Sequence, residues 1–406
     1  MSGIIVNMSM FRKSFLPKVI LGFALFFISI PASASAMETA VWVPWFGPEN
    51  GAAGVESAIE NIENIDIIYL FTYEVNSDGS LNNRADFDDD HWQELIKVAR
   101  DNDVKVIPTL AWFDGYSIDQ VLSNRSSRRK HVSEIAAMVK KYDFDGVNID
   151  YEQKEKATKD DFSTFLKDLS GKLRKKDLTC ALEARTPPDS LYRDVPKTIE
   201  YSNDYKAINK YCDWVEIMAY DQQRADIKLN DKRKGVPYMP VADVEWVEKV
   251  VQMAVKDIDK DKILLGVPTY GRAWDITVAP EWYKDYTKVA SLNQPRILEL
   301  SKKYNSPIGR TAGGEAIISY FPEDSVYKIF NQLPTPAGTP KGFEAAAKAL
   351  QVATLAKIEL PVRFVTWSDA DAIGDKIDLI DKYGLKGMAM FKSDGEEDPD
   401  IWKLLD

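Results

Sequence analysis

Residues 142–152 read Tyr-Asp-Phe-Asp-Gly-Val-Asn-Ile-Asp-Tyr-Glu, and their alternation decides the fold. In an extended strand successive side chains point to opposite faces. Val147, Ile149 and Tyr151 therefore share one face, and Asn148, Asp150 and Glu152 share the other. The first face is apolar and the second acidic. Apolar residues packed under helices, with carboxylates turned inward, make a barrel strand, and acids at its carboxyl end sit where parallel barrels keep their chemistry. Glu152, the last of the three, is the candidate proton donor.

Outward from this strand the chain alternates short apolar runs with amphipathic stretches, as repeated βα units of a parallel sheet do. Strands are expected at 40–46, 65–73 and 104–110 before it, with helices at 51–63, 87–102 and 128–141. After it come helix 159–176, strand 178–183, helix 204–211, strand 214–219, helix 241–257 and strand 263–268. An eighth strand, 387–391, follows helix 371–383 only after a gap of more than a hundred residues. Eight alternations close a barrel. The expected fold class is α/β: a TIM (β/α)8 barrel with a small α+β insertion subdomain between strands seven and eight. The barrel takes residues 37–274 and 368–406 and the insertion 275–367. The insertion differs in texture, with Pro295, Pro307, Pro322, Pro334, Pro336 and Pro340, strand-like runs at 315–321 and 362–367, and an Ala-rich helix at 342–358. Placed there, it raises one wall of a cleft.

The chain of 406 residues, 45% hydrophobic and 11% aromatic, is long enough to bury a large core. Its net charge of −11 excludes the basic surface that phosphate recognition needs, so no nucleic-acid partner is expected. The ten Trp, eighteen Tyr and seventeen Phe supply flat faces on which sugar rings stack as well as core. Arg12, Lys13 and Lys18, the apolar run 19–30, Pro31 and the small residues 32–36 have the three-part order of a secretory signal peptide, with cleavage expected after Ala36. The product is then secreted or periplasmic, or membrane-anchored if the segment stays on. Cys180 and Cys212 are too few for a disulfide framework and are expected as two buried thiols. His91 and His131 stand alone in helical, charged contexts, so no metal site and no Ser-His-Asp chemistry is expected.

The motifs resemble those of glycoside hydrolase family 18, the chitinase-like group. The family's Asp-Gly-x-Asp-x-Asp-x-Glu signature matches Asp145, Gly146, Asp150 and Glu152, with Asn148 in place of the middle acid. Met218-Ala219-Tyr220-Asp221 resembles the family's Met-x-Tyr-Asp at the end of strand six, and residues 266–272, Gly-Val-Pro-Thr-Tyr-Gly-Arg, its strand-seven motif. The likeness covers residues 41–406. It implies a retaining, cofactor-free enzyme whose substrate supplies its own nucleophile, the 2-acetamido oxygen of N-acetylglucosamine. Glu152 would protonate the leaving oxygen, Asp150 would orient the acetamide and stabilise its developing positive charge, Tyr220 would donate a hydrogen bond to the acetamide oxygen, and Asp221 would hold the sugar. A negative neighbour raises a carboxyl pKa, so Asp150 is expected to keep Glu152 protonated. Asn148 cannot ionise, which predicts a narrowed or shifted acid limb of the pH profile. The second departure is Phe391, where the family usually places a tryptophan under the reacting sugar.

Further substrate contacts are expected from Asp145, Asn148, Met218, Arg272, Trp45, Tyr73, Trp112 and Trp274, with Trp42, Phe113 and Trp282 also at strand ends or the insertion's start. Arg272 either bonds sugar hydroxyls or neutralises the acidic mouth. Asp394, Glu396, Glu397 and Asp398 read as a solvated acidic loop capping the segment that contains Trp402. The expected partner is a polymer or oligomer containing N-acetylglucosamine, chitin or peptidoglycan, handled by a monomer. The competing class is a non-catalytic lectin on the same barrel. Such a protein typically lacks the acid at position 152, and Glu152, Asp150 and Tyr220 together favour the enzyme. A structural envelope protein would bind no acetylated chitooligosaccharide.

Overall fold

The computed structural model describes residues 37–87 and 89–405. The expected signal peptide, residues 1–36, lies outside the described residues. Eight parallel strands close a ring: β1 (Glu38–Pro44), β2 (Ile67–Val75), β4 (Lys105–Trp112), β5 (Gly146–Tyr151), β6 (Asp177–Glu183), β7 (Trp214–Met218), β8 (Ile263–Pro268) and β14 (Gly387–Phe391). A short strand, β3 (Leu81–Asn83), folds back on β2. Both β14 and β2 pair with β1, which completes the TIM barrel. At the closing seam the backbones approach so closely that a Cβ on Gly387 would lie 1.8 Å from the Glu38 carbonyl oxygen. Only glycine fits there.

Alternation along each strand separates two cores. Val41, Val43, Ile68, Leu70, Val147, Ile149 and Tyr151 face outward and pack under the helices. Ala40, Trp42, Ile67, Tyr69, Ile107, Ala181, Leu264 and Ala389 fill the barrel interior. The helices begin where short polar side chains cap them. Asn124 accepts from Ser126 N and Ser127 N at 2.9 and 3.1 Å, so that helix starts at Arg125, three residues before the expected 128. The helix Ala370–Tyr383 is capped by Asp369 and ends at Gly384, whose φ of 61° is left-handed.

Between β8 and β14 a second sheet is built from β9 (Gly271–Ala279), β10 (Trp282–Leu292), β11 (Gly309–Arg310), β12 (Ala316–Tyr320) and β13 (Leu360–Trp367), all antiparallel. One face packs Trp274, Ile276 and Val278 against the helix Glu344–Ala356 through Ala346, Ala349 and Ala353. The Ala-rich stripe lets the helix lie close to the sheet.

The two cysteines differ from expectation. Cys180 on β6 and Cys212, which ends the helix Tyr205–Tyr211, form a disulfide with their Cα atoms 6.3 Å apart. Cys180 faces outward on its strand, and that outward face meets the chain entering β7. His131 is also not in a charged setting. It is buried, its two ring nitrogens 2.6 Å from the Gly79 carbonyl and 2.5 Å from the Tyr151 hydroxyl, and burial lowers its pKa to about 4.

Candidate active site

The carboxyl ends of the barrel strands open onto a cavity of about 710 Å³. Its wall carries Asp150 from β5 and Glu152 just beyond it, Met218 from β7, Tyr220 and Asp221 just after, Arg272 from β9 and Phe391 from β14. These residues, scattered from position 150 to position 391 of the sequence, are the part of the expected site that the structure brings together.

Glu152 sits at the strand end, its backbone N–H donating to the Trp112 carbonyl at 2.9 Å. Burial raises its pKa to about 7, helped by the charges of Glu183 and Asp221 and opposed by Lys154. Besides Asp150, whose ionisation and that of Glu152 oppose each other, Glu183 at the end of β6 adds a second carboxylate beside Glu152. Glu183 also accepts from Gln153 N at 2.8 Å and so braces the backbone next to the acid. Asp150 is itself pushed up by burial and then by Glu152. Its Oδ1 is buried without a hydrogen-bond partner among the described residues. Lys154 lies buried behind the pair with its pKa lowered by burial, and its ammonium donates to the Tyr151 carbonyl.

Opposite the acids, Phe391 is the hub of an aromatic floor. Tyr220 stacks on it at 5.9 Å and 20°, and Trp42, Phe71 and Tyr270 meet it edge-on at 5.9, 5.7 and 6.3 Å. Gly266 on β8 makes room for this arrangement: a Cβ there would lie 2.6 Å from the Ile217 carbonyl oxygen and 3.1 Å from the Tyr220 ring. Arg272 is committed to Asp221, with Nε to Oδ1 at 2.9 Å and Nη2 to both carboxylate oxygens at 2.7 Å. Tyr270 adds a hydrogen bond to Asp221 Oδ2 at 3.1 Å. Neutralising the acidic mouth is therefore what Arg272 does in this structure.

Several expected contacts are placed elsewhere. Tyr73 turns outward against Phe87 because a bulge between Phe71 and Tyr73 reverses the alternation, and Phe71 takes the lining position. Trp112 is the last residue of β4 and points outward with Leu110, packing on Tyr151 and His131, while the next residue, Phe113, reaches the cavity. Trp274 is buried against the insertion's helix. Trp45 lies under the Arg84 guanidinium, 4.4 Å from its ring centre, and its neighbour Phe46 lines the cavity instead. Trp282 is 56% exposed on β10, away from the cavity wall. Asp145 is at the opposite end of β5, its carboxylate accepting from Val106 N at 2.8 Å to lock β4 to β5. Asn148 is wholly buried one layer below the acids. The acidic loop is not solvated: Asp394, Glu397 and Asp398 are buried, and Asp394 and Glu396 line the cavity. Its capping role holds for Asp398, which accepts from Asp400 N at 3.1 Å.

A parallel barrel with paired interior acids and an aromatic floor at the strand carboxyl ends defines a class, the TIM-barrel glycosidases. The model of the glycosyl hydrolases family 18 matches residues 42–396, and the chain belongs to that family. It is 28% identical over 166 residues to the uncharacterized glycosylase YvbX of Bacillus subtilis, covering 40% of this chain and 44% of that relative's length. The spore cortex-lytic enzyme SleL of Bacillus cereus superposes with a TM-score of 0.66 at 20% identity, over 92% of this chain and 74% of that one. A chitinase from Chromobacterium violaceum gives 0.65 at 19%, over 91% and 98%. At these identities the superpositions show the fold.

Proposed function

We propose that this hydrolase cleaves β-1,4 linkages next to N-acetylglucosamine in chitin or peptidoglycan, with net retention, by substrate-assisted catalysis. The observation that carries the reading is Glu152, a carboxyl group in the cavity wall whose burial keeps it protonated near neutral pH. Glu152 donates its proton to the glycosidic oxygen while the substrate's own acetamide oxygen closes on the anomeric carbon. Asp150 accepts from the acetamide N–H and faces the positive charge that spreads over the ring so formed. An uncompensated buried carboxylate oxygen, Asp150 Oδ1, supports a ligand partner at this position. Tyr220 directs its hydroxyl at the acetamide oxygen, and Phe391 lies beneath the sugar. Water then enters from the face the leaving group vacates, and Glu152, now a base, takes its proton.

The proposal extends to location. The N-terminal basic, apolar and small-residue order directs the chain out of the cytoplasm, and the Cys180–Cys212 bond suits an oxidising compartment. The protein acts as a monomer, residues 275–367 forming a subdomain on one side of the cleft. The test is release of reducing ends from acetylated chitooligosaccharides, against Glu152→Gln. Binding without turnover in both proteins would leave the lectin reading.

A further inference from the structure

Below the acids, the barrel interior holds a closed set of polar side chains where a hydrophobic layer would serve for packing. Asn148 is its centre. Its Oδ1 accepts from the Thr109 hydroxyl at 3.0 Å, and Thr109 Oγ1 in turn accepts from Trp42 Nε1 at 3.1 Å. Its Nδ2 donates to Thr179 Oγ1 at 2.7 Å and to Glu216 Oε2 at 2.8 Å. The second oxygen of Glu216 accepts from the Tyr69 hydroxyl. Glu216 lies on β7, fully buried, with no cation bonded to it among the described residues. A buried carboxyl group without a cation is costly, and an amide of the same size in its place would make the same number of hydrogen bonds. The chain instead keeps an acid on β7 and an amide on β5.

We propose that Glu216 supplies the interior acid whose family position is occupied here by Asn148, and that it acts as a positioning residue for Asp150. The acid sits two strands away, on β7, and the hydrogen bond from Asn148 Nδ2 joins it across the barrel interior to the β5 position. This rests on the reading that Asp150 and Glu152 carry the chemistry.

The charged and titratable groups around Glu216 can be named strand by strand. β2 brings Tyr69, and β5 brings Asp150 two residues along from Asn148 on the same face. β6 brings Thr179, Glu183 at its carboxyl end beside the acids, and Asp177 at its amino end, paired with Lys105 at 2.6 Å. β8 brings Leu264 opposite and no ionisable group. Of the two acids above, Asp150 is the one on which the Glu216 charge acts. Burial raises the pKa of Glu216 to about 7, against the pull of its Tyr69 and Asn148 hydrogen bonds, and its charge raises that of Asp150. The Glu216 charge, reaching Asp150 through the Asn148 layer, thus favours the protonated form of Asp150.

Three variants separate this role from packing: Glu216→Gln, Asn148→Asp, and the exchange Asn148→Asp with Glu216→Gln. Two readouts are taken between pH 4 and 9, the thermal midpoint and kcat/KM on acetylated chitooligosaccharide. In Glu216→Gln the acid limb, set by ionisation of Asp150, moves down by about one pH unit. The decline in thermal midpoint from pH 4.5 to 7 also flattens, because a carboxyl group whose folded pKa is raised loses stability as pH rises through that window. Asn148→Asp, with two facing carboxyl groups, moves the limb up. The double exchange restores the hydrogen bond and returns the limb toward wild type. A limb that stays in place in all three variants while only the thermal midpoint falls reduces Glu216 to a packing residue and overturns the proposal. If the wild-type protein turns nothing over, the functional reading fails on its own. The thermal comparison then still decides, and equal pH slopes in wild type and Glu216→Gln overturn the proposal.

Discussion

Breaking the Cys180–Cys212 bond should lower stability without touching the cleft. The bond closes a loop of 32 residues that runs from the middle of β6 through the helix Tyr205–Tyr211. The chain-entropy relation for a loop of that length predicts a stabilisation of about 3.7 kcal/mol at 25 °C. For a folded unit of about 370 residues the unfolding entropy near the midpoint is on the order of 0.8 kcal/mol/K, so loss of the bond should lower Tm by about 5 °C. Reduction of the wild-type protein is a cleaner perturbation than substitution, since it leaves both sulfurs in place and opens no cavity. The assay is differential scanning calorimetry with and without reductant, with thiols counted under denaturing conditions in each sample. The oxidised protein should show none and the reduced protein two. Because Cys180 faces away from the barrel interior, kcat/KM well below the melting range should be the same in both. An unchanged Tm in a sample whose thiols are shown to be free would refute the entropic argument. Two free thiols in protein exported to an oxidising compartment would refute the bond itself.

Three further outcomes follow from the site. Glu152 must hold its proton to act as the acid, so kcat/KM should fall about tenfold per unit of pH above its pKa of about 7, and a profile flat to pH 9 would remove it from that role. Arg272→Met strips the forked pairing from Asp221 and should raise KM several-fold with a smaller change in kcat, since that pair shapes the binding wall rather than the reacting centre. Gly266→Ala drives a methyl group into the Ile217 carbonyl and the Tyr220 ring, and should cost about 1–3 kcal/mol of stability and reduce kcat, whereas the same change at Gly171, which has open space around its Cα, should not.

The alternation of residues 146–152 makes the barrel legible, because a strand with one apolar and one acidic face has few other places to go. The same period-two logic correctly put Asp150 and Glu152 together at a strand end. It misplaced Tyr73 because a bulge inserts one residue and reverses facing, and a bulge has no signature in a run of apolar and aromatic residues. Trp112 was lost by one position, the difference between the last residue of β4 and the first of its loop. Glu216 and Glu183 were hidden for another reason. Neither belongs to a recognised motif, and its meaning depends on which residue other strands set beside it across the barrel, as Glu216 is set across from Asn148. The Cys180–Cys212 pair depends in the same way on β6 lying next to β7. Register between strands distant in sequence is written in packing, not in local pattern.

The most direct test of the central claim is hydrolysis of acetylated chitooligosaccharides by wild type and Glu152→Gln, with the anomeric form of the first product followed by NMR. Turnover in wild type, release of the β-anomer and loss of at least about a thousandfold in the variant are predicted from an essential acid that also serves as base. Undiminished turnover in Glu152→Gln, or an inverted first product, would contradict the account.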